Sequence, residues 1–243
     1  MQMIITGVIS KLFTLFVKSV LKIATKTLKP KFSLKLFLNI DNILYSYISA
    51  CSIKYENGIH PKHRLISYHD YFVKNIGVNE NVLDIGCGNG ALDYDIAQKI
   101  KGNIIGIDKN QNNIDYAKKH YKCGNLKFVC GDVLLELPEN NMKFNTVIMS
   151  NLIEHIEKRV EFLKNIILKI KPDNILFRVP MYEREWMVAL KDELGVEFRL
   201  DQTHYIEYVQ DAFFEELKEA GLKVESYEVR WGEIWARALP DRK

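Results

Sequence analysis

Apolar residues along this chain follow two different periods, which predict a succession of strands and helices. Short apolar runs, of the kind that become buried strands, occupy residues 81–85, 104–107, 126–130, 144–149 and 174–179. Apolar positions at helical spacing occupy residues 91–100, 157–170 and 209–220. This order of elements predicts a mostly parallel sheet with helices on both faces.

The C-terminal part of the pattern predicts how the sheet ends. Two further apolar runs, 223–230 and 233–239, suit an antiparallel pair. With the earlier runs they give an α/β fold with a seven-stranded, doubly wound, mostly parallel sheet and a terminal antiparallel strand. The 243 residues are enough to bury the core of one such domain.

The N-terminal residues predict a basic amphipathic helix. Five lysines fall within an arc of roughly 80° on a helical wheel, namely Lys11, Lys18, Lys22, Lys26 and Lys29. The other side of the wheel carries Phe13, Phe16, Val17, Val20, Leu21, Ile23, Ala24 and Leu28. Pro30 is expected to end the helix. We therefore divide the chain into a basic amphipathic extension over 1–40 and a second domain over 41–243.

Two interpretations of this helix stay open. Its longest charge-free run, 1–10, is shorter than the ~18 apolar residues that a spanning helix needs. Its charge follows the apolar stretch, whereas a secretory signal carries charge before it. Either residues 1–29 lie in a membrane interface with lysines on anionic headgroups, or the helix packs as a lid. We expect a cytoplasmic protein, peripheral at the inner face of the membrane in the first case.

Composition excludes several classes of protein. A net charge of +3 does not indicate a nucleic-acid partner. The cysteines are too sparse for a disulfide scaffold and lack the paired spacing of a zinc site. They are Cys51, Cys87, Cys123 and Cys130. We therefore expect reduced thiols and no metal.

The strongest local signal is the sequence VLDIGCGNG at residues 82–90. An apolar run leads directly into Gly86, Gly88 and Gly90, and a helical pattern follows. Such a turn needs glycine because the backbone adopts positive φ and approaches a ligand without a Cβ in between. One turn of this kind is weak evidence for a ligand by itself.

Polar residues at the ends of the next strands strengthen the signal. Asp108 follows one apolar run and lies 22 residues after Gly86, where a carboxylate can accept hydrogen bonds from ribose hydroxyls. Asp132 and Asn151 follow the next two runs. Open parallel sheets bind ligands at the carboxyl ends of their strands. For Asp108 and Asp132 the alternative is a helix cap or a turn.

On these residues the chain resembles the class I S-adenosylmethionine-dependent methyltransferases, over roughly 81–180. The resemblance implies S-adenosylmethionine as cofactor. It also implies these positions around it: Asp84, Gly86, Gly88 and Gly90 at the methionine part, Asp108 at the ribose, Asp132 at the adenine amino group, and Asn151 at the methyl-transfer cleft. A nicotinamide cofactor is disfavoured, because the glycine spacing is G-x-G-x-G and Asp84 would repel a diphosphate.

Methyl transfer to a hydroxyl calls for a base, and the sequence offers two histidines. His155 follows the fourth strand within a Glu-His pair that many similar small-molecule methyltransferases have; a histidine bonded within the helix start is the alternative. Quinone-pathway O-methyltransferases have an acidic residue at the position of Asn151, so the resemblance does not imply a metal-assisted base. His204 is the second candidate, and a structural histidine paired with Asp201 is its alternative.

The acceptor is suggested by the segment 180–208, where similar methyltransferases carry acceptor-binding insertions. We expect arginines to clamp an anionic group and aromatic rings to stack on a sugar. The candidates are Arg178, Arg184, Arg199, Tyr182 and Trp186. Three segments resemble methyltransferases of cell-surface glycan and lipid pathways. They are residues 58–76, which precede the glycine loop, the sequence RVPMYEREW at 178–186, and the sequence RWGEIWARA at 230–238.

That resemblance implies O-methylation of a small-molecule acceptor, namely a sugar, a glycan precursor or a lipid-linked molecule. Two other classes of function stay open. A non-catalytic S-adenosylmethionine-binding protein would keep the cofactor residues and close the cleft to any acceptor. A membrane-surface scaffold would keep only the fold.

Overall fold

The structure is a computed structural model that describes residues 2–135 and 142–241, with the backbone alone for residues 2–10. The side chains of the charge-free run 1–10 therefore lie outside the described residues. The chain forms two compact units. The first comprises Met1–Gly58 with Leu190–Phe198, and the second comprises Ile59–Ala189 with Arg199–Lys243.

The first unit contains two long helices, α1 (Gln2–Thr27) and α2 (Pro30–Tyr55). The predicted N-terminal helix is present, but Pro30 begins the second helix instead of ending the first. Proline suits the first helical turn, because its missing N–H would have no partner there and its φ is already helical. Helix α2 continues past residue 40, which the sequence pattern took as a domain boundary. Among the described residues, no helix has both the length and the apolar character needed to cross a bilayer.

Residues 190–198 join this first unit through polar contacts with α2. The Lys191 ammonium lies 2.8 Å from an Asp41 carboxylate oxygen and donates to the Asn42 side-chain oxygen, also at 2.8 Å. The Asn42 amide nitrogen donates in turn to the Glu197 carbonyl at 2.7 Å. Because the Lys191 side chain is buried, losing Asp41 would leave its charge without its ion-pair partner.

The second unit contains the predicted seven-stranded sheet. Its strands are β1 (Val82–Ile85), β2 (Ile104–Asp108), β3 (Leu126–Cys130), β4 (Thr146–Ser150), β5 (Asn174–Pro180), β6 (Leu222–Arg230) and β7 (Glu233–Pro240). Their spatial order is β3-β2-β1-β4-β5-β7-β6. All pairs are parallel except those of β7, which runs antiparallel to both β5 and β6. The predicted fold class is confirmed.

Helices cover both faces of this sheet, as a doubly wound fold requires. The helices that follow α2 are α3 (Lys62–Ile66), α4 (Tyr68–Lys74), α5 (Ala91–Ala97), α6 (Gln111–His120), α7 (Arg159–Ile170), α8 (Trp186–Leu194), whose residues from 190 onward belong to the first unit, and α9 (Gln210–Glu219). Leu83 of β1 lies in the core cluster that α7 and α9 complete, and its neighbour Val82 lies in the cluster that α4 and α5 complete. This alternation follows from the two-residue period of a strand.

The strand order places a topological switch between β1 and β4. The connections from β1 run outward to β2 and β3, whereas the chain returns to β4 on the other side of β1. At such a point the loops after neighbouring strands diverge and leave a crevice at the carboxyl ends. The fold therefore predicts the place of a ligand before any side chain is considered.

Candidate active site

A cavity of about 990 Å³ opens at this switch point within the second unit. Its wall contains six of the predicted site residues, which are Gly86, Asp108, Asp132, Asn151, His155 and His204. Residues 199 and 201–205 form another part of the wall. Asp84, Gly88 and Gly90 are not among the lining residues.

The glycine loop after β1 has the geometry that the sequence predicts. Gly86, Gly88 and Gly90 have φ of +79°, +55° and +79°. A Cβ on Gly90 would lie 2.5 Å from the Phe128 ring, so this glycine is needed for packing. A Cβ on Gly88 would meet no heavy atom within 4 Å. The loop therefore leaves open space at Gly88, which a ligand can approach closely.

Asp108 ends β2 with its carboxylate fixed by backbone amides. One oxygen accepts from the Gly88 N–H at 2.9 Å, and the other accepts from the Asn110 N–H at 2.7 Å. The cap of α6 is Asn110, whose side chain accepts from the Asn112 N–H, so Asp108 is not the helix cap. The oxygen bonded to Asn110 also accepts from the Asn113 side-chain amide at 3.4 Å, so the oxygen bonded to Gly88 is the one that keeps a second lone pair for a ligand hydroxyl.

Asp132 and Asn151 reach the cavity from the turns after β3 and β4. An Asp132 oxygen accepts from the Leu134 N–H at 2.9 Å, so this residue does stabilise a turn, as its alternative interpretation holds. Asn151 adopts a left-handed backbone with φ of +52° and donates its N–H to the Arg178 carbonyl at 2.7 Å. Asparagine tolerates this conformation better than most residues.

Asp84 is buried beneath the glycine loop beside a second acid, Asp93 of α5. Burial raises the pKa of both carboxyl groups, and the negative charge of Asp84 raises the pKa of Asp93 further. Within the described residues, one Asp84 oxygen and both Asp93 oxygens have no hydrogen-bond partner. Because ionisation of one buried carboxyl disfavours ionisation of the other, the pair carries at most one negative charge at neutral pH, and that charge would favour a positive group nearby.

These features fit the cofactor that the sequence predicts. The cavity volume lies at the upper end of the ~300–1,000 Å³ typical of small-molecule sites. Gly88 leaves room for close approach, and Asp108 presents a carboxylate at the cavity wall that can accept from a ligand hydroxyl. The buried Asp84 and Asp93 carboxyls together carry at most one negative charge, which an ammonium group nearby would stabilise.

His155 and His204 approach each other on the cavity wall. His155 ends a 3₁₀ turn (Ile153–His155), and its Nδ1 lies 2.8 Å from the Thr203 hydroxyl. His204 Nδ1 lies 2.9 Å from a Glu207 carboxylate oxygen. The alternative interpretation of His204, a buried histidine paired with an acid, is correct except for the partner, which is Glu207 and not Asp201. Asp201 instead accepts from the N–H and the hydroxyl of Thr203, at 2.8 and 2.7 Å.

The pKa of His155 is lowered below its usual 6.5. Burial is the main cause and the neighbouring His204 adds to it, while the charge of Asp201 acts in the opposite direction. His155 is therefore a neutral imidazole at neutral pH, which is the form that accepts a proton.

Glu154 is a fully buried acid beside these histidines. Burial and the charge of Glu207 raise its pKa to about 8, and Arg178 partly opposes them. Neither carboxyl oxygen has a partner among the described residues. Ligand atoms of Glu154, His155 and His204 lie within 4.8 Å of one another, close enough for one ion. The expected absence of a metal stays a prediction.

Arg178 was expected to help clamp an anionic group of the acceptor, and the structure shows that it does not. This side chain is buried and donates to both Glu233 oxygens, at 2.7 and 2.6 Å, and its guanidinium lies 3.9 Å from the centre of the Tyr68 ring. Arg184 donates to Glu207 at 2.7 Å. Of the three arginines only Arg199 lines the cavity.

The predicted stacking residues are not part of the wall either. Trp186 is 73% exposed and lies outside the cavity lining, as does Tyr182. Sequence reasoning also missed Glu207 and Glu233. The only signal for Glu207 was its position three residues after His204, which is not a fixed distance in a loop without regular structure.

A family model described as a methyltransferase domain matches residues 76–227. The chain is similar to the ubiquinone biosynthesis O-methyltransferase of Rickettsia bellii, with 34% identity over 94 residues that make up 39% of each protein. An uncharacterized RNA methyltransferase of Mycoplasma mobile is 35% identical over 42% of this chain and 28% of its own length. The matches thus span about two fifths or less of these two relatives.

Solved structures share the fold at lower identity. A SAM-dependent methyltransferase from Aquifex aeolicus matches with a TM-score of 0.57 and 17% identity, covering 78% of this chain and 97% of that one. Magnesium protoporphyrin IX methyltransferase from Synechocystis, with bound S-adenosylhomocysteine, matches with a TM-score of 0.56 and 16% identity, covering 74% and 83%.

Proposed function

This chain belongs to the methyltransferase-domain family, and from that membership we propose that it transfers the methyl group of S-adenosylmethionine to a hydroxyl oxygen of a small molecule. The family match confirms the resemblance stated from the sequence, and S-adenosylmethionine is the cofactor. The observation that carries the proposal is the single cavity wall that holds both a ribose-type carboxylate, Asp108, and two histidines, His155 and His204.

The cofactor positions follow the strand ends. Asp108 would accept hydrogen bonds from the ribose hydroxyls, and Asp132 from the adenine amino group. Gly86 and Gly88 would let the backbone approach the methionine part, above the buried acid Asp84. Asn151 would face the methyl group. Support comes from the cavity lining and from the open position at Gly88.

The protein's contribution to catalysis would be alignment and proton removal. When bound, the cofactor supplies an activated methyl carbon on a sulfonium sulfur. The cavity would hold the acceptor oxygen in line with it. His155 or His204 would take the hydroxyl proton, since a neutral imidazole within reach of that oxygen is the usual base. A base of this kind typically contributes about 10²–10⁴ in rate.

For the acceptor we propose a sugar, a glycan precursor or a lipid-linked small molecule. The name of the Rickettsia relative, an O-methyltransferase, supports an oxygen acceptor. Arg199, Gln202 and Tyr205 give the 199–205 part of the wall a polar and aromatic character that suits a hydroxyl-rich molecule.

Peripheral contact with an anionic membrane through residues 1–29 completes the proposal. Apolar side chains on α1 are open to solvent, with Phe13, Phe16 and Ile23 exposed by 65%, 66% and 61%. Exposed apolar side chains of this kind suit a helix that lies in a membrane interface. The lysine face would meet the lipid headgroups.

A non-catalytic S-adenosylmethionine-binding protein is the alternative, and the open cavity argues against it. Such a protein would close its cleft to any acceptor, whereas the cavity here extends beside Asn151 and His155. A scaffold that keeps only the fold would not need Asp108 held by two backbone amides.

Labelled S-adenosylmethionine tests the acceptor. The full chain would be incubated with the labelled cofactor and with fractionated glycan and lipid extracts, and an Asp108→Ala protein would be the control. We expect label in a polar glycan or lipid-linked fraction, with a mass gain of one methyl group. Label only in protein or RNA, or in no fraction, would overturn the acceptor proposal.

Flotation with vesicles tests the membrane contact. The wild type should float with phosphatidylserine-containing vesicles at low salt, and substitution of Lys18, Lys22 and Lys26 by Glu should abolish this. A matched control carries the same charge change at exposed positions of the second unit, Lys118, Lys119 and Lys122. Equal flotation of the two triple variants, or no flotation of the wild type, would exclude the contact.

A further inference from the structure

Each of the two cavity histidines is joined to a carboxylate through its Nδ1 atom. His204 reaches Glu207 directly at 2.9 Å. His155 reaches Asp201 through the Thr203 hydroxyl, with a distance of 2.8 Å for the first step and 2.7 Å for the second. Two separate hydrogen-bonded chains therefore end at two neighbouring rings.

The chemistry of the partners sets the direction of these hydrogen bonds. An ionised carboxylate only accepts, so Glu207 requires a proton on His204 Nδ1. The Thr203 hydroxyl has one proton and donates it to Asp201, so it can only accept from His155. His155 Nδ1 must then carry a proton as well. Both rings are thereby held in the same tautomer.

Both carboxylates also accept hydrogen bonds from other donors. Glu207 accepts from the Leu200 N–H at 2.7 Å and from the Arg184 guanidinium at 2.7 Å, and its side chain is fully buried. Asp201 also accepts from the Thr203 N–H at 2.8 Å, and this backbone bond is the main reason why its pKa is lowered. Ionised carboxylates of this kind form stronger, charge-assisted hydrogen bonds.

We propose that Thr203 and Glu207 are positioning residues that fix His155 and His204 with the proton on Nδ1, so that Nε2 is the nitrogen that takes the proton of the acceptor. This inference rests on the proposed function for its catalytic meaning. The side-chain hydrogen bonds of both rings run through Nδ1, to Thr203 and to Glu207. A histidine with a defined tautomer needs no rearrangement before it accepts a proton.

Nitrogen NMR of the full chain tests the tautomers without an acceptor. Long-range proton–nitrogen correlation on ¹⁵N-labelled protein at pH 8 separates the two tautomers, and His155→Asn and His204→Asn proteins assign the signals. We expect the Nδ1–H form for both rings. Thr203→Val should release His155 into a mixture of tautomers, whereas Thr203→Ser, which keeps the hydroxyl, should retain the wild-type signal.

The second arm concerns Glu207. Glu207→Gln should shift the tautomer of His204 and leave that of His155 unchanged. Should this buried substitution unfold the protein, the Thr203 pair decides, because Thr203 is exposed. An Nε2–H form for either ring in the wild type, or an unchanged His155 signal in Thr203→Val, would overturn the inference.

Methyl-transfer rates separate this inference from the proposed function. With any acceptor fraction that takes up label, Thr203→Val should lower turnover about tenfold and Thr203→Ser should restore it. S-adenosylhomocysteine affinity should be the same in all three proteins. If the tautomers are as expected and no fraction takes up label, the proposed acceptor chemistry fails and the positioning roles stand.

Discussion

The imidazole rings of His155 and His204 meet edge to face, with their centroids 4.5 Å apart and an angle of 79° between their planes. At this distance a proton on one ring disfavours a proton on the other. His204 therefore helps to lower the pKa of His155 and so to keep it neutral. Both rings line the cavity in which we propose that the acceptor binds.

The pH dependence of methyl transfer should follow from this pair. A base must be unprotonated, and the pKa of His155 is lowered from 6.5, so the rate should rise with pH below 6.5 and level off by pH 7. Substitution of the histidine that acts as base by asparagine should reduce turnover about 100-fold. It should also remove the rise of the rate with pH on the acidic side of the pH–rate profile. An acidic limb that survives in both His155→Asn and His204→Asn would rule out a histidine base.

Glu154 should make the protein less stable at high pH. Its pKa is about 8 in the folded chain, against about 4.3 for an unperturbed glutamate. Between these values the unfolded state loses the proton and the folded state keeps it, so stability falls as pH rises. Glu154→Gln removes this effect. Its free energy of unfolding at pH 9 should therefore be about 1–3 kcal/mol higher than that of the wild type.

The measurement is thermal and urea unfolding at pH 5 and pH 9. At pH 5, where Glu154 is protonated when folded, the difference between Glu154→Gln and wild type should be smaller than at pH 9. Glu157→Gln, at a neighbouring exposed position, is the matched control and should change little at either pH. A Glu154→Gln protein that gains nothing at pH 9 would show that the buried acid has a partner that stabilises its charge.

Removal of divalent metal should leave methyl transfer unchanged. Glu154, His155 and His204 are close enough to hold an ion, but a carboxyl with a pKa of about 8 is mostly protonated at neutral pH and is a poor ligand. Dialysis against EDTA followed by a rate measurement at pH 7 checks this. A loss of activity that zinc or magnesium restores would contradict the metal-free account.

The glycine loop offers a prediction about stability. Gly90→Ala should destabilise the protein by about 2–4 kcal/mol, because the new Cβ would lie 2.5 Å from Phe128 and φ is +79°. Gly124→Ala should be nearly neutral, since a Cβ there meets nothing within 4 Å. Denaturant unfolding of both variants compares them directly. Equal effects of the two substitutions would mean that the loop relaxes around Gly90.

Most of the second unit could be predicted from the hydrophobic pattern. Buried parallel strands read as continuous apolar runs, which is why β1 to β5 were found within two residues of their ends. Helix α6 was missed because QNNIDYAKKH has few apolar positions and only Ile114 and Ala117 are buried. Helix α2 was missed because Pro30 was interpreted as the end of a helix.

Some residues of the candidate site could be predicted from the sequence, and others could not. Asp108, Asp132 and Asn151 were predictable because the end of each strand fixes where the next side chain lies. The partners of His204 and Arg178 were not, because they depend on how a loop without regular structure folds and on which strand lies beside β5. Glu233 reaches Arg178 only because β7 pairs with β5 in an antiparallel register.

The most direct test of the account is calorimetric titration of the chain with S-adenosylhomocysteine. We predict one site per chain, with affinity reduced about 10- to 100-fold in Asp108→Ala, because that substitution removes the acceptor of ribose hydrogen bonds. Asp115→Ala, on the exposed face of α6, should bind like wild type. Absence of binding by the wild type, or equal affinity of wild type and Asp108→Ala, would contradict the cofactor site described above.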